Sequence, residues 1–233
     1  MGTASVPFGD VMFHLDGVRI GFEICEDAWV ADRPANRLAK RDVGVILNPS
    51  ASHFAFGKHQ VRRELLRASS SMITGAYVYA NLVGNEAGRA IYDGDTMIGQ
   101  EGKVIASGSR FSYHDVVVTT AVVDVCQADS GDCVEHDFSF QNHETVHSVS
   151  ECSVDAWELS EFLKEEEFAR ALGLALFDYM RKSHSQGFVL SLSGGADSAT
   201  VAILIRLMVE FAIVDLGTAP MAERLQHCFS GTQ

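Results

Sequence analysis

The sequence predicts an α/β protein built in two parts, and three observations carry that expectation. Residues 1–125 alternate short strand-like runs with helical segments. Residues 126–155 are mainly polar and acidic. From residue 156 the text holds a long helix, an apolar strand, a glycine-rich loop and a second, strongly apolar helix. The domains therefore read as 1–125, then a solvated linker over 126–155, then 156–233.

Each element has a local reason. Val18, Ile20, Phe22 and Ile24 alternate, which predicts a half-buried strand with Cys25 at its end. Asp16-Gly17 is a two-residue hairpin signal and pairs this strand with residues 11–15. Helices are expected near residues 33–41 and 58–73, the second with Val61, Leu65, Met72 and Ile73 on its inner side. Residues 77–83, 90–98, 103–106 and 116–125 read as strands, with turns at Asp93-Gly94 and around Glu101-Gly102. A helix is expected over residues 160–183, capped by Ser160, with acidic residues 165–167 in its early turns and Phe168, Leu172, Leu176 and Tyr179 as its apolar face. Gly187 permits a break into a strand over 187–192, and residues 199–214 predict an apolar helix packed on a sheet. Beyond Val214 the helical apolar pattern is lost.

Composition bounds the function classes. The 233 residues are 47% apolar and 21% charged, ordinary for a globular protein. A net charge of −13 argues against nucleic acid as a partner, because phosphate contacts need clustered Lys and Arg. Residues 1–10 have neither a basic region nor an apolar core, so no signal peptide is read there, and no stretch is long and apolar enough to suggest a membrane span. Five cysteines is an odd count, consistent with reduced thiols in a cytoplasm. Cys126, Cys133 and Cys152 lie near His136, His143 and His147, but no Cys-x-x-Cys pair exists, so the stretch reads as linker rather than as a zinc site.

Two motifs carry chemistry. Ser191-Leu192-Ser193-Gly194-Gly195-Ala196-Asp197-Ser198 joins the apolar strand to the apolar helix. Its glycines let backbone approach an anion, Ser193 and Ser198 add hydroxyl donors, and the helix N-terminus that follows favours negative charge. It is not a Walker A loop, since the Gly-Lys-Ser/Thr ending is absent and no lysine follows Lys182. At the other end, Ile24-Cys25-Glu26-Asp27-Ala28-Trp29 places a cysteine between a strand and a helix N-terminus, where a thiol is set to act as a nucleophile.

The Ser-Gly-Gly-x-Asp-Ser loop resembles the pyrophosphate-binding loop of the ATP pyrophosphatase family. The Ile-Cys-Glu-Asp-x-Trp segment resembles the nucleophile motif of the nitrilase superfamily. Asn48-Pro49-Ser50-Ala51-Ser52, Gly57-Lys58, Tyr79-Ala80-Asn81, Asn85-Glu86-Ala87-Gly88 and Tyr92-Asp93-Gly94 are similar to its glutaminase branch. The fusion of the two resembles the glutamine-dependent NAD synthetase family.

The resemblance implies a nitrilase-like αββα sandwich followed by the start of an adenine-nucleotide α-hydrolase-like, Rossmann-like parallel-sheet domain. It implies Cys25 as nucleophile, with Glu26, Trp29, Ser52 and Lys58 lining a glutamine pocket. It implies that residues 191–198 hold ATP, with Mg²⁺ as cofactor and Asp197 as its contact. The partners it implies are glutamine, deamido-NAD and ATP, in a cytoplasmic homo-oligomer.

One departure stands beside these matches. The family's glutaminase uses a glutamate base and a lysine upstream of the cysteine, but here the first lysine is Lys40 and the earlier carboxylates are Asp10, Asp16 and Glu23, none in a matching context. The later synthetase segments, including those for deamido-NAD, also lack a counterpart. The chain is thus expected to be a fragment truncated at both ends and inactive or incomplete alone. Two other readings stay open: another ATP-dependent amidotransferase with the same kind of glutaminase, or a non-catalytic truncated module.

Overall fold

Asp16 and Gly17 close the first hairpin of the computed structural model, which describes residues 9–86, 88–135 and 154–228. Both residues sit at positive φ, 48° and 83°, as a tight two-residue turn requires. The turn joins β1 (Phe13–Leu15) to β2 (Val18–Phe22) in antiparallel register, Leu15 opposite Val18.

The chain then builds parallel strands with helical crossovers. Helix α1 (Pro34–Ala39) leads to β3 (Val45–Ser50), and α2 (Lys58–Ser70) leads to β4 (Ala76–Asn81). Strands β2, β3 and β4 are parallel neighbours. The apolar run Val45-Ile46-Leu47 suits the central position it occupies. Next, β5 (Val83–Glu86) and β6 (Ala90–Asp93) form a separate hairpin, while β7 (Thr96–Gln100), antiparallel to β4, and β8 (Lys103–Ser107), antiparallel to β7, extend the main sheet. The short β9 (Val134–Glu135) pairs with β1, giving the order β8-β7-β4-β3-β2-β1-β9.

Met12, Leu38, Val43, Ile46, Leu66, Tyr77, Tyr79 and Met97 form the core between the sheet and α1–α2. Ala76, Val78, Ile98 and Ala106 lie on the other face, under Ala121 and Val123. A buried polar knot fixes the first layer. The Glu23 carboxylate accepts two bonds from Arg33, at 2.9 and 2.6 Å, one from the Tyr77 hydroxyl at 2.6 Å and one from the Ala35 N–H at 3.0 Å. Burial, and then the Glu23 charge, push the Tyr77 hydroxyl far above its usual range, so it stays a donor.

The second part is helical. Helix α3 (Leu163–Ser183) packs against α4 (Ala196–Leu216), and α5 (Thr218–Arg224) follows. Phe111 and Tyr113, from the segment after β8, are buried with Leu174, Phe177, Met180 and Met208. Helix α3 also rests on the β5–β6 hairpin, where Asp178 accepts the Asn85 N–H at 2.8 Å and Lys182 reaches Asn85 O at 2.6 Å. Gly84 makes this approach possible, since a Cβ there would lie 2.2 Å from the Asp178 carboxylate.

Several sequence expectations change. The inner side of α2 carries Arg62, Leu66, Ser69 and Ser70, while Val61 and Met72 are exposed, because ion pairs draw Arg62 inward. Helix α3 starts at Leu163 rather than Ser160, and it buries Glu167, Ala171, Leu174, Phe177 and Asp178 while Phe168 and Tyr179 face out. The run 90–98 is broken at Gly94 into β6 and β7. Residues 116–125 lie along the sheet without joining its ladder, and residues 187–192 form no strand. Helix α4 packs on α3 rather than on a sheet, leaving Val201, Ile203 and Val214 exposed, and α5 lies beyond Val214, where the sequence has no helical apolar pattern. The near end of the expected linker is tied to the first sheet, by β9 and by a 2.7 Å bond from Arg41 to Asp132.

The Glu23 knot predicts unequal costs for two arginines near α1. Arg33→Ala strands a buried carboxylate and should lower stability by about 3–5 kcal/mol. Arg37, in surface pairs, should cost less than about 0.5 kcal/mol when changed to Ala. Urea unfolding of both variants checks this, and equal midpoints would remove Glu23 from the foundation of the fold.

Candidate active site

The parallel strands β2, β3 and β4 end on the same side of the sheet, the side where open α/β folds place ligands. Cys25 follows β2, Ser52 follows β3 and Asn81 ends β4. The turn at Cys25 is strained: its φ is +49°, a left-handed conformation that a non-glycine residue holds at a cost of about 1–3 kcal/mol. Glu23 anchors the chain on one side and the buried Ala28 on the other, with a 3₁₀ turn over Cys25–Trp29 between. Asp27 secures the turn by accepting the Ile24 N–H at 3.3 Å. Glu23 itself is enclosed by Arg33 and Tyr77, so it cannot serve Cys25 as a base.

Cys25, Glu26, Trp29, Ser52 and Lys58 all line one pocket of about 530 Å³, together with Ala51, His53 and Val61. The structure thus brings together the cysteine and the four residues expected around it. Trp29 and Val61 give apolar, half-open walls, and Lys58 enters from the first turn of α2, donating to His53 O at 3.0 Å. Burial, and then the Arg62 guanidinium, lower the Lys58 pKa below its usual 10.5, while the charges of Asp93 and Cys25 act the other way. The pocket can hold a polar, partly anionic molecule against a thiol.

Residues not singled out from the sequence hold this pocket in shape. The Asn81 amide grips the Ser52 backbone twice, accepting its N–H at 2.8 Å and donating to its carbonyl at 2.9 Å. Arg62 donates to the same carbonyl at 2.8 Å and to both Asp93 oxygens at 2.8 and 2.6 Å. Burial opposes the Arg62 charge, but Asp93 and Asp95 outweigh it and raise its pKa. Asp95 in turn meets His59 Nδ1 at 2.9 Å, and its carboxyl stays ionised below its usual range despite burial because His59 and Arg62 face it. Part of the signal is present in the sequence: Asn81 and Asp93-Gly94 lie in the family-like text, whereas their partner Arg62 does not.

The second motif is open. Residues 191–197 are exposed, Gly194 has a φ of +81°, and no atom lies within 4 Å of where its Cβ would stand. Gly195 precedes the first turn of α4, Asp197 lies in that turn, and the Ser193 and Ser198 hydroxyls are 3.2 Å apart. Backbone donors, two hydroxyls and a carboxylate therefore share one accessible helix N-terminus. A larger cavity, about 700 Å³, lies around Arg110, Trp157, Arg170 and Phe211 and shares no lining residue with the Cys25 pocket. Among the described residues no three His, Cys, Asp or Glu side chains cluster as metal ligands; Cys152, His136, His143 and His147 lie outside those residues. No described helix is long and apolar enough to cross a membrane.

Comparison with known proteins follows the same division. The carbon-nitrogen hydrolase family matches residues 2–129, and the NAD synthase family matches residues 168–220. Glutamine-dependent NAD(+) synthetases of Homo sapiens and Oryza sativa subsp. indica are 34% identical over 221 residues and 33% identical over 226. The alignments cover 88% and 91% of this chain but 31% of each relative, so the chain spans less than a third of their length. The crystal structure of a glutamine-dependent NAD(+) synthetase from Cytophaga hutchinsonii superposes with a TM-score of 0.69 at 38% identity, covering 97% of this chain and 31% of that one. The enzyme of the same name from Acinetobacter baumannii, solved with ADP, shares the fold with a TM-score of 0.58 at 22% identity, covering 93% of this chain and 35% of that one.

The closeness of Lys58 to Cys25 predicts a charge preference at the thiol. Anionic iodoacetate should label Cys25 faster, relative to neutral iodoacetamide, than it labels the exposed Cys126. That preference should fall as pH rises through the depressed Lys58 pKa, and it should be absent in Lys58→Met. Peptide mass spectrometry reads each thiol separately, and a preference that survives Lys58→Met would remove Lys58 from the site.

Proposed function

Because the chain belongs to the carbon-nitrogen hydrolase family, matched over residues 2–129, and carries an NAD synthase match behind it, we propose that it works as part of a glutamine-hydrolysing NAD synthetase. The observation that carries this reading is the convergence of Cys25, Glu26, Trp29, Ser52 and Lys58 on one pocket at the strand ends.

The Cys25 thiolate attacks the side-chain amide of glutamine. The leaving nitrogen takes up the proton that the thiol gave up, and the tetrahedral intermediate collapses to a γ-glutamyl thioester as ammonia leaves. Water then cleaves the thioester, giving glutamate and restoring the thiol. Ser52, Glu26, Trp29 and Lys58 hold the substrate, and the Lys58 ammonium sits where it can stabilise negative charge beside the thiol.

The loop over residues 191–198 holds ATP. The carboxylate of deamido-NAD attacks the α-phosphorus and pyrophosphate leaves, which turns a poor electrophile into an acyl adenylate. Ammonia adds to that carbonyl and AMP departs. Backbone N–H groups at the α4 N-terminus and the Ser193 and Ser198 hydroxyls receive the phosphates. Asp197 fits Mg²⁺ as one hard oxygen ligand, the usual arrangement when phosphate oxygens supply most of the others, and the ion would neutralise charge on the leaving pyrophosphate. The division into a glutaminase unit over 1–125, a linker over 126–155 and a synthetase unit over 156–233 follows from this reading, with the linker's first residues fastened to the β1 edge. Among the described residues Cys25, Cys126, Cys133 and Cys228 are free thiols, which favours the cytoplasm, and the exposed apolar side of α4 favours a homo-oligomer.

Glutamine should protect Cys25 from iodoacetamide in this chain, and ATP with Mg²⁺ should bind it measurably by calorimetry, the latter being lost in Asp197→Ala. In a full-length synthetase that contains this chain, NAD formation from deamido-NAD and ATP should lose the use of glutamine in Cys25→Ala and keep the use of ammonium. Asp197→Ala should depress both by about 10²-fold or more. Loss of ammonium-driven synthesis in Cys25→Ala would overturn the assignment of Cys25 to the glutaminase step.

A further inference from the structure

A continuous set of buried charges runs from the second part of the chain to the wall of the Cys25 pocket. It begins on α3 with Glu167 and in the turn before α3 with Glu158. Arg110, buried in the segment after β8, donates to Glu158 at 2.7 Å and to Glu167 at 2.9 Å. Its Nη1 also stands 4.0 Å from Asp93 Oδ2. Asp93 is held by Arg62 and by the Asn81 amide at 2.8 Å, and both of these hold the Ser52 carbonyl. An aromatic route runs alongside: Phe54 packs edge-on to Phe111 at 5.2 Å, and Phe111 meets the Trp157 ring at 5.9 Å. The Phe111 N–H bonds the Asp93 carbonyl at 2.7 Å, which ties the two routes together.

We propose that Arg110 is a positioning residue that couples the seating of α3 to the shape of the glutamine pocket at Ser52. The inference rests on the glutaminase reading of that pocket and extends it to control by the synthetase part. Asp93 is shared between two cations. With Glu158 and Glu167 in place, Arg110 faces α3 and leaves Asp93 to Arg62 and Asn81, which then hold Ser52 fixed. When α3 shifts or Glu167 loses its charge, Arg110 turns toward Asp93 and competes with Arg62 and Asn81 for its oxygens. The pocket wall then loosens while Cys25, anchored separately through Glu23, keeps its place. Glutamine binding would thus respond to the state of the second domain without any contact between α3 and the substrate.

The test uses the whole chain and follows iodoacetamide alkylation of the Cys25 peptide with L-glutamine as protectant. Glu167→Gln and Arg110→Lys should raise the half-protecting glutamine concentration by about fivefold or more. Alkylation without glutamine should stay within about twofold of the parent, as expected for a site not directly coupled to the change. Glu165→Gln, an exposed carboxylate in the first turn of the same helix, should change neither. Glu167→Gln keeps the test open if Arg110→Lys does not fold. Protection of the parent with an unaltered concentration dependence in Glu167→Gln would overturn the coupling alone. So would a parallel rise in alkylation of Cys126, Cys133 and Cys228, which would mark general loosening. No protection of the parent by glutamine would overturn the pocket reading, and the coupling with it.

Discussion

Arg62 is a fully buried cation, and the layout of the first domain depends on how its charge is met. A lone buried guanidinium would be strongly destabilising, so the fold must bring carboxylates to it with good geometry. Asp93 and Asp95 do so from either side of Gly94, whose φ of +71° makes the corner between β6 and β7. The corner sends the β5–β6 hairpin out of the main sheet, and the hairpin is where α3 docks. The same guanidinium holds the Ser52 carbonyl, so one ion pair network sets both a domain contact and a pocket wall.

The cysteine depends on a different arrangement. A thiol that continued the β2 alternation would point to the same face of the sheet as the buried Glu23. The positive φ at Cys25 redirects it over the strand ends, at a cost that must be offset nearby. Glu23 offers that offset, since its four hydrogen bonds fix the backbone just before the turn. Cys25 and the pocket wall thus hang from separate buried carboxylates, Glu23 and Asp93. That separation is why one can loosen without the other.

What the sequence reveals and what it hides follow from the range of the forces involved. The Asp16-Gly17 hairpin and the Gly194 loop are legible because a few adjacent residues dictate their backbone angles, whereas the left-handed turn at Cys25 is not, being held by Glu23 through Arg33 and Tyr77. The meeting of Cys25 with Ser52 and Lys58 is legible through family likeness rather than through spacing. The inner faces of α2 and α3 are not, because hydrophobic periodicity scores Arg62, Glu167 and Asp178 as solvent-facing when each is buried against an opposite charge. The runs 116–125 and 187–192 mislead for another reason. Strand propensity becomes a strand only where a neighbouring edge supplies hydrogen bonds, and no window of sequence contains its neighbour.

The charge balance bears on how this chain could handle anionic ligands. Its net charge of −13 should repel ATP and a dinucleotide at long range. At physiological ionic strength that repulsion is screened beyond about 8 Å, so local groups decide binding. Around the glycine loop the local groups are backbone N–H donors, the Ser193 and Ser198 hydroxyls and one carboxylate, with no lysine in the loop. A carboxylate there would oppose phosphate unless a divalent cation lay between them. On the proposed reading, Asp197 would be a ligand for a metal that arrives with the nucleotide, and recognition would depend on the metal–nucleotide complex rather than on the free anion.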